Sequence, residues 1–273
     1  MLLSPVSQEF MVPKLLTLDF DDTIALTSES APGIKSVNDA YAEAIDACIG
    51  LESAEQYISS GGHNGRTPAE IVSDLKPDMS PKEATLYGLD VARIKLDILL
   101  DQIGKPLPDG EIWPRLSPDF DKMWLLRGSR LPAGAGFDTA VLSAGITRFI
   151  KNSFEQHDLS PPEILITDDV LGELGLHAIP PEKRAKPETL LLDLAEFIWR
   201  QRNNIADEQI IDRKKQIKHV GDDEIKDRGL AQNAAVGFQQ FRARNSKEIW
   251  GRILRWTNAG TISVRSAVEN VAK

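Results

Sequence analysis

The short apolar run Leu15-Leu16-Thr17-Leu18 drives directly into Asp19, Asp21 and Asp22, with Thr23 behind them. A run this short, at residues 14–18, reads as a strand buried in a parallel sheet. Burying one unpaired carboxylate is costly, and like charges a few ångströms apart repel unless a cation sits between them. The strand is therefore expected to end at a pocket that a metal ion occupies.

The rest of the chain divides by periodicity. Residues 35 to about 102 carry helical spacing and no convincing strand. Thr67 to Glu70 and Ser80 to Glu83 each combine a cap, a first-turn proline and a glutamate three residues on, the pattern of a capping box. Leu86, Val91, Ile94 and Ile98 continue at helical spacing after the second box. A proline- and glycine-rich connection at 104–114 marks a boundary. Strands are then expected at 139–143, 163–169, 216–220 and 235–238, with helices between them. Alternating β and α units imply a doubly wound parallel sheet with right-handed crossovers. The expected division is a core of residues 1–27 and 108–273, with 1–12 a loose extension, and an inserted helical domain at 28–107. Trp250, Ile253, Leu254 and Trp256, at helical spacing, are expected to pack on the core.

Composition narrows the function. The formal net charge of −9 over 273 residues argues against nucleic-acid binding, which needs a basic face, and against an anionic membrane surface. No apolar run reaches the length of a membrane span, and the first residues lack a basic start followed by a sustained apolar stretch. The single cysteine, Cys48, excludes an internal disulfide and fits a reducing compartment, so a cytoplasmic location is expected. His157, His177 and His219 form no metal-ligand spacing and read as structural.

In an open parallel sheet, ligands bind beyond the carboxyl ends of the strands. Strand one delivers Asp19 and Asp21 there, and the strand at 139–143 delivers Ser143, Ala144 and Gly145. Lys186 precedes a proline able to start a helix, and the strand at 216–220 delivers Gly221, Asp222 and Asp223, with Asp227 further on. Ser143 can both cap the following helix and bind a phosphate at its N-terminus. Carboxylates, a hydroxyl and an ammonium group aimed at one sheet edge suit phosphoryl transfer.

The stretches DFDDT at 19–23, VLS at 141–143, KP at 186–187 and VGDDEIKD at 220–227 resemble the four ordered motifs of the haloacid dehalogenase-like (HAD) hydrolase superfamily. The helical segment after the first motif is similar to that superfamily's cap, as in relatives resembling phosphoglycolate phosphatase and β-phosphoglucomutase. The resemblance implies a three-layer, Rossmann-like α/β core with an inserted α-helical cap, and magnesium-dependent phosphatase chemistry through an aspartyl-phosphate. It makes Asp19 the nucleophile, Asp21 the acid and base, and Ser143 and Lys186 the groups that steady the phosphoryl oxygens. Mg2+ would be held by Asp19, the backbone carbonyl of Asp21, and Asp222, with Asp223 or Asp227 behind. Asp22, Thr23, Ala144 and Gly145 would line the substrate. An acid at position 21 fits phosphatases and phosphomutases; family dehalogenases lack it. Asp22 replaces a glycine common in the first motif, Leu26 replaces a frequent acid, and the charged stretch at 206–216 is longer than expected.

The loop GGHNGRTP at 61–68 resembles the cap loop that covers the site in those relatives. Arg66 is its candidate substrate contact, with His63 and Asn64 adding polar groups; the alternative is a solvated arginine. A closing cap favours a small phosphorylated metabolite as partner. The expected assembly is a monomer or homodimer. The competing readings are a phosphomutase and a catalytically silent binding module, and the intact core motifs argue against the second.

Overall fold

In the computed structural model, which describes residues 13–50, 54–64, 66–126, 137–206 and 208–257, the apolar run at 14–18 is the middle strand of a sheet. β1 (Lys14–Leu18) is followed by a two-residue strand, β2 (Ala25–Leu26), and four helices: α1 (Val37–Ile49), α2 (Ala54–Ser59), α3 (Pro68–Leu75) and α4 (Pro81–Gln102). A second short strand, β3 (Arg115–Leu116), and α5 (Phe120–Leu125) lead to β4 (Phe137–Leu142), α6 (Thr147–Gln156), β5 (Ile164–Ile166) and α7 (Asp168–Glu173). The chain continues through α8 (Pro181–Arg184), α9 (Leu190–Arg202), α10 (Arg213–Gln216), β6 (Ile217–Gly221), α11 (Lys226–Asn233), β7 (Gly237–Gln240) and α12 (Ser246–Thr257). The extension expected at residues 1–12 lies outside the described residues.

Five strands pair in parallel in the order β5-β4-β1-β6-β7. Successive side chains of a strand point to opposite faces, and here both faces are covered. Leu15, Ala140, Leu142 and Ile217 pack with Leu192, Trp199 and Leu230 on one side. Leu16, Leu18, Val141 and Val220 pack with Phe149, Phe154, Trp124 and Trp250 on the other. The result is three layers, helix on sheet on helix. α12 belongs to the second face: Trp250 and Ile253 are buried, with the Trp250 ring against Phe120 and Phe241.

The chain steps outward from β1 to β4 and β5, then returns to the other side of β1 as β6 and β7. That reversal opens a crevice at the carboxyl ends of β1 and β6. β4, β6 and β7 lie within two residues of expectation, and β5 ends three residues sooner. β5 stops at Ile166 because α7 begins at Asp168, and β7 starts at Gly237 because Ala235, at φ 55°, ends the preceding helix.

Helices α1 to α4 share a third apolar cluster built from Tyr41, Ile45, Ile58, Ile71, Val72 and Val91. α3 and α4 carry both expected capping boxes, and α1 carries an unexpected third in which Asp39 replaces the usual glutamate. The stems of this insertion are clamped side by side: β2 pairs antiparallel with β3, and the Ser117 N–H donates to the Ile24 carbonyl at 2.8 Å. No helix among the described residues is long and apolar enough to cross a membrane.

Gly88 sets the spacing of α3 and α4, since a Cβ there would lie 2.5 Å from the backbone nitrogen of Ala69. Gly88→Ala should therefore cost about 1–3 kcal/mol despite its better helix propensity. Gly251→Ala on α12, where the nearest atom is a flexible arginine end at 3.6 Å, should instead stabilise by roughly 0.5–1 kcal/mol. Denaturant melts of both variants test this; a neutral Gly88→Ala would show that the two helices are not held at this separation.

Candidate active site

β1 delivers two carboxylates to the crevice because side chains alternate. Phe20 turns into the core against Phe149 and Phe154, which leaves Asp19 and Asp21 on the other side. The Asp19 N–H donates to the Val220 carbonyl at 2.9 Å, tying it to the end of β6. The chain then reverses. Asp22 adopts φ 54°, its N–H donates to the Ala25 carbonyl at 2.7 Å, and its carboxylate accepts the Ser28 N–H at 3.0 Å. Aspartate is one of the few residues that tolerates the left-handed region, so it serves where a glycine was expected. Its side chain is used by the turn. Thr23 is fully buried and its hydroxyl donates to Asp222 at 3.4 Å.

Lys186 bridges the centre. Its ammonium hydrogen-bonds Asp19 Oδ1 and lies 2.8 Å from Asp227 Oδ1. Asp227 is buried and also accepts from the ring of His219 at 3.1 Å and from the Asp223 N–H at 3.1 Å. The other ring nitrogen of His219 meets Thr17 Oγ1 at 3.0 Å, so the chain Thr17, His219, Asp227, Lys186, Asp19 spans the sheet. Gly221 makes room for it: a Cβ there would sit 2.2 Å from the Asp227 carboxylate. Of the two acids behind the site, Asp227 therefore holds Lys186, while the Asp223 carboxylate accepts the N–H groups of Ile225 and Lys226, both at 2.8 Å.

Asp21 accepts from Thr27 Oγ1 at 2.7 Å, and Ser143 Oγ lies 3.5 Å from its other oxygen. Two expectations are corrected. Ser143 does not cap α6: its hydroxyl accepts the Gly145 N–H at 2.9 Å, and the free N–H of Thr147 is met by Asp169 at 3.1 Å. Pro187 does not start a helix, since α9 begins at Leu190. Ala144 and Gly145 form the loop beside Ser143, where the Gly145 carbonyl accepts the Asp168 N–H at 3.3 Å.

The electrostatics are those of a crowded acid site. Burial raises Asp19 well above the carboxylate range, Asp227 and Asp21 add to the rise, and Lys186 opposes it. Burial raises Asp21 as well. Burial and the neighbouring Asp227 and Asp22 carry Asp222 to about 6. Burial also works against Asp227, but Lys186 and His219 hold it well below its usual range. Burial likewise works against Lys186, yet the two carboxylates hold its pKa above the ordinary lysine value. Asp19, Asp222 and Asp227 each offer an oxygen within 4.8 Å of the others. Asp227 is already committed to Lys186 and His219, so Asp19 and Asp222 are the oxygens left for a cation. Hard carboxylate oxygens and unrelieved repulsion fit a small divalent ion such as Mg2+.

Arg66 takes no part in this cluster. It is exposed, paired with Asp74 at 2.9 Å, and no described hydrogen bond or ion pair joins it to the carboxylates at the sheet edge. The insertion meets the core elsewhere. Arg184, almost wholly buried, pairs with Glu70 at 2.6 Å, and Lys226 donates to Asn64 at 3.0 Å. Sequence reading missed Arg184 because its partner is 114 residues away. It missed Lys95, which interacts electrostatically with Asp21 and Asp168. A usable signal existed: its i−4 and i+4 neighbours, Val91 and Leu99, are both buried, so Lys95 shares the inward face of α4.

No family model and no curated protein matches the chain. Solved structures that it resembles include CbbY from Rhodobacter sphaeroides in complex with phosphate, at 13% identity over 85% of this chain and 88% of that one, with a TM-score of 0.48. A HAD-superfamily hydrolase of subfamily IA from Geobacter sulfurreducens PCA matches at 14% identity over 88% and 97%, TM-score 0.45. A 2-haloacid dehalogenase from Pseudomonas syringae pv. Tomato DC3000 matches at 13% over 88% and 99%, TM-score 0.45. At these values the likeness concerns the course of the chain and carries no functional argument. The chemistry has to come from the side chains.

Asp222 has a sign that can be measured. Its folded pKa of about 6 lies above the unfolded value near 3.9, so its contribution favours the fold at low pH and is lost as pH rises through about 6. A divalent ion takes the ionised form and reverses that loss. Magnesium at about a hundred times its Kd should raise Tm by roughly 5 °C near pH 7.5 and by clearly less near pH 5. Asp222→Asn should remove most of the shift. A shift of equal size at both pH values, or one retained in the variant, would exclude Asp222 as a ligand.

Proposed function

We propose that the chain is a HAD-like, magnesium-dependent phosphoryl-transfer hydrolase that acts on a small phosphorylated metabolite through an aspartyl-phosphate at Asp19. The observation that carries this reading is the Lys186 ammonium held between Asp19 and Asp227 at the carboxyl end of the central strand, with Asp21 two residues on. A structural ion pair needs no second acid beside it and no third acid, Asp222, across the crevice. A nucleophile facing a phosphate dianion needs all three.

Each residue then has a distinct task. An Asp19 oxygen attacks phosphorus, forming the Asp19–phosphorus bond as the bond to the ester oxygen breaks. Asp21 gives its proton to the leaving oxygen, and burial, which raises its pKa, favours the protonated form this step requires. Lys186, Ser143 and the backbone around Gly145 steady the three remaining phosphoryl oxygens. Water then attacks phosphorus and releases the Asp19 carboxylate, with Asp21 taking the proton back. Asp19 and Asp222 would hold the magnesium ion, which when bound neutralises charge between nucleophile and phosphate. Dehalogenation has no use for an acid at the leaving oxygen, so Asp21 favours phosphoryl transfer. Cap–core contacts through Arg184 and Glu70 favour a small substrate over a macromolecule.

Asp19→Asn should lower magnesium-dependent hydrolysis of an aryl phosphate by at least ~10⁴-fold while leaving the far-UV spectrum unchanged. Asp21→Asn should slow turnover of an alkyl phosphate by roughly 10²- to 10⁴-fold. An aryl leaving group needs little protonation, so with that substrate the second half-reaction suffers more and aspartyl-phosphate accumulates. Acid quench and intact mass would show one added phosphoryl group. Wild-type turnover in Asp19→Asn, or no trapped adduct in Asp21→Asn, would sink the mechanism.

A further inference from the structure

The insertion and the core share one buried charge. Arg184, at the end of α8, is 2% exposed, and Glu70 of α3 is the only acid that pairs with it among the described residues, at 2.6 Å. The other arm of the guanidinium donates to the carbonyls of His177, at 3.3 Å, and Ile179. Its Nε is buried with no partner among the described residues. Taking a guanidinium out of water and leaving one N–H unmet is unfavourable, and the capping box of α3 does not require it. The boxes of α1 and α4 join Ser36 to Asp39 and Ser80 to Glu83, and among the described residues no cation pairs with either acid.

The loop that Arg184 ties down carries Lys186. Only Ala185 separates the two residues. On the core side the same loop has two further anchors. The His177 ring donates through Nε2 to the Asp168 carbonyl at 2.9 Å, just beyond the carboxyl end of β5. Pro187 lies against α11: its carbonyl accepts from Asn233 Nδ2 at 3.0 Å, and a Cβ on Gly229 would sit 2.7 Å from the proline ring. The anchors at 177 and 187 belong to the core, whereas the stretch between them is held from the insertion by Glu70. The Glu70 carboxylate also accepts the Thr67 N–H at 2.6 Å, which fixes it to the start of α3. A shift of α3 against the core therefore pulls on Arg184, two residues from Lys186.

We infer that Glu70 is a positioning residue: through Arg184 it sets where Lys186 stands, so that the ammonium is aimed between Asp19 and Asp227 while α3 is docked on the core. The insertion then completes the site from behind as well as covering it. This rests on the phosphatase reading for what Lys186 does to a phosphoryl oxygen.

Glu70→Gln tests it, because glutamine keeps the capping box while removing the charge. With magnesium and a small aryl phosphate, well below the Tm of each protein, the variant should lose kcat by ~10- to 100-fold, as for one lost charge-assisted hydrogen bond, with KM nearly unchanged. Arg184→Lys should lose as much, since an ammonium cannot hold two carbonyls and a carboxylate in one plane, and the double variant should lose no more than either single one. Amide exchange over residues 177–187, followed by mass spectrometry, should quicken in Glu70→Gln although the substitution lies in the insertion. Quickened exchange in a protein that hydrolyses no ester, wild type included, would remove the hydrolytic reading and keep the coupling. A lower Tm with kcat intact would make the pair structural, and a rise in KM alone would make it a cover. Either result overturns the proposal, as does exchange that is unchanged in the variant.

Discussion

One buried ammonium organises the crevice. Lys186 stands between Asp19 and Asp227, and the contacts around Asp227 keep that bridge in place. Removing one partner of a buried pair leaves a charge without compensation, a loss of about 3–5 kcal/mol in measured cases. Here the network is longer than a pair. His219 and the Asp223 N–H fill the remaining acceptor positions of Asp227, and Thr17 orients His219 from within the central strand. Because Asp227 is held on three sides, Lys186 has little freedom, and Asp19 is aimed in turn.

The backbone makes that network possible. Gly221 has no side chain where the Asp227 carboxylate lies, and α11 begins close enough to β6 for the Asp223 N–H to reach it. The reversal of strand order beside β1 provides the opening into which these groups project. After β1, the tight turn at Asp22 returns the chain at once, so that Thr27 can reach Asp21 and the insertion can begin.

The two sides of the crevice differ in charge. The sheet edge contributes Asp19, Asp21 and Asp222, whose pKa values rise because burial and mutual repulsion disfavour ionisation. The insertion carries Lys95 over the Tyr41 ring, and that lysine interacts electrostatically with Asp21. The almost wholly buried Arg184 pairs with the half-buried Glu70 to join the two sides, and Glu70 also completes the capping box of α3.

Much of this was open to reading from the residues in order. The apolar run into Asp19, the β/α alternation, the capping boxes at Thr67 and Ser80 and the polar residues after each strand all follow from preferences that act over a few neighbouring positions. Other features required the folded chain. That Asp227 rather than Asp223 supports Lys186 depends on how α11 docks against β6. That Lys95 interacts electrostatically with Asp21 depends on which side of α4 meets the core. Asp169 caps α6 across a gap of 22 residues, and Arg184 finds Glu70 across 114. Backbone propensity and side-chain period are local properties, and they determined the elements and the acids at their ends. Pairing between groups on different elements is set by packing, and only the tertiary structure decided which charge meets which.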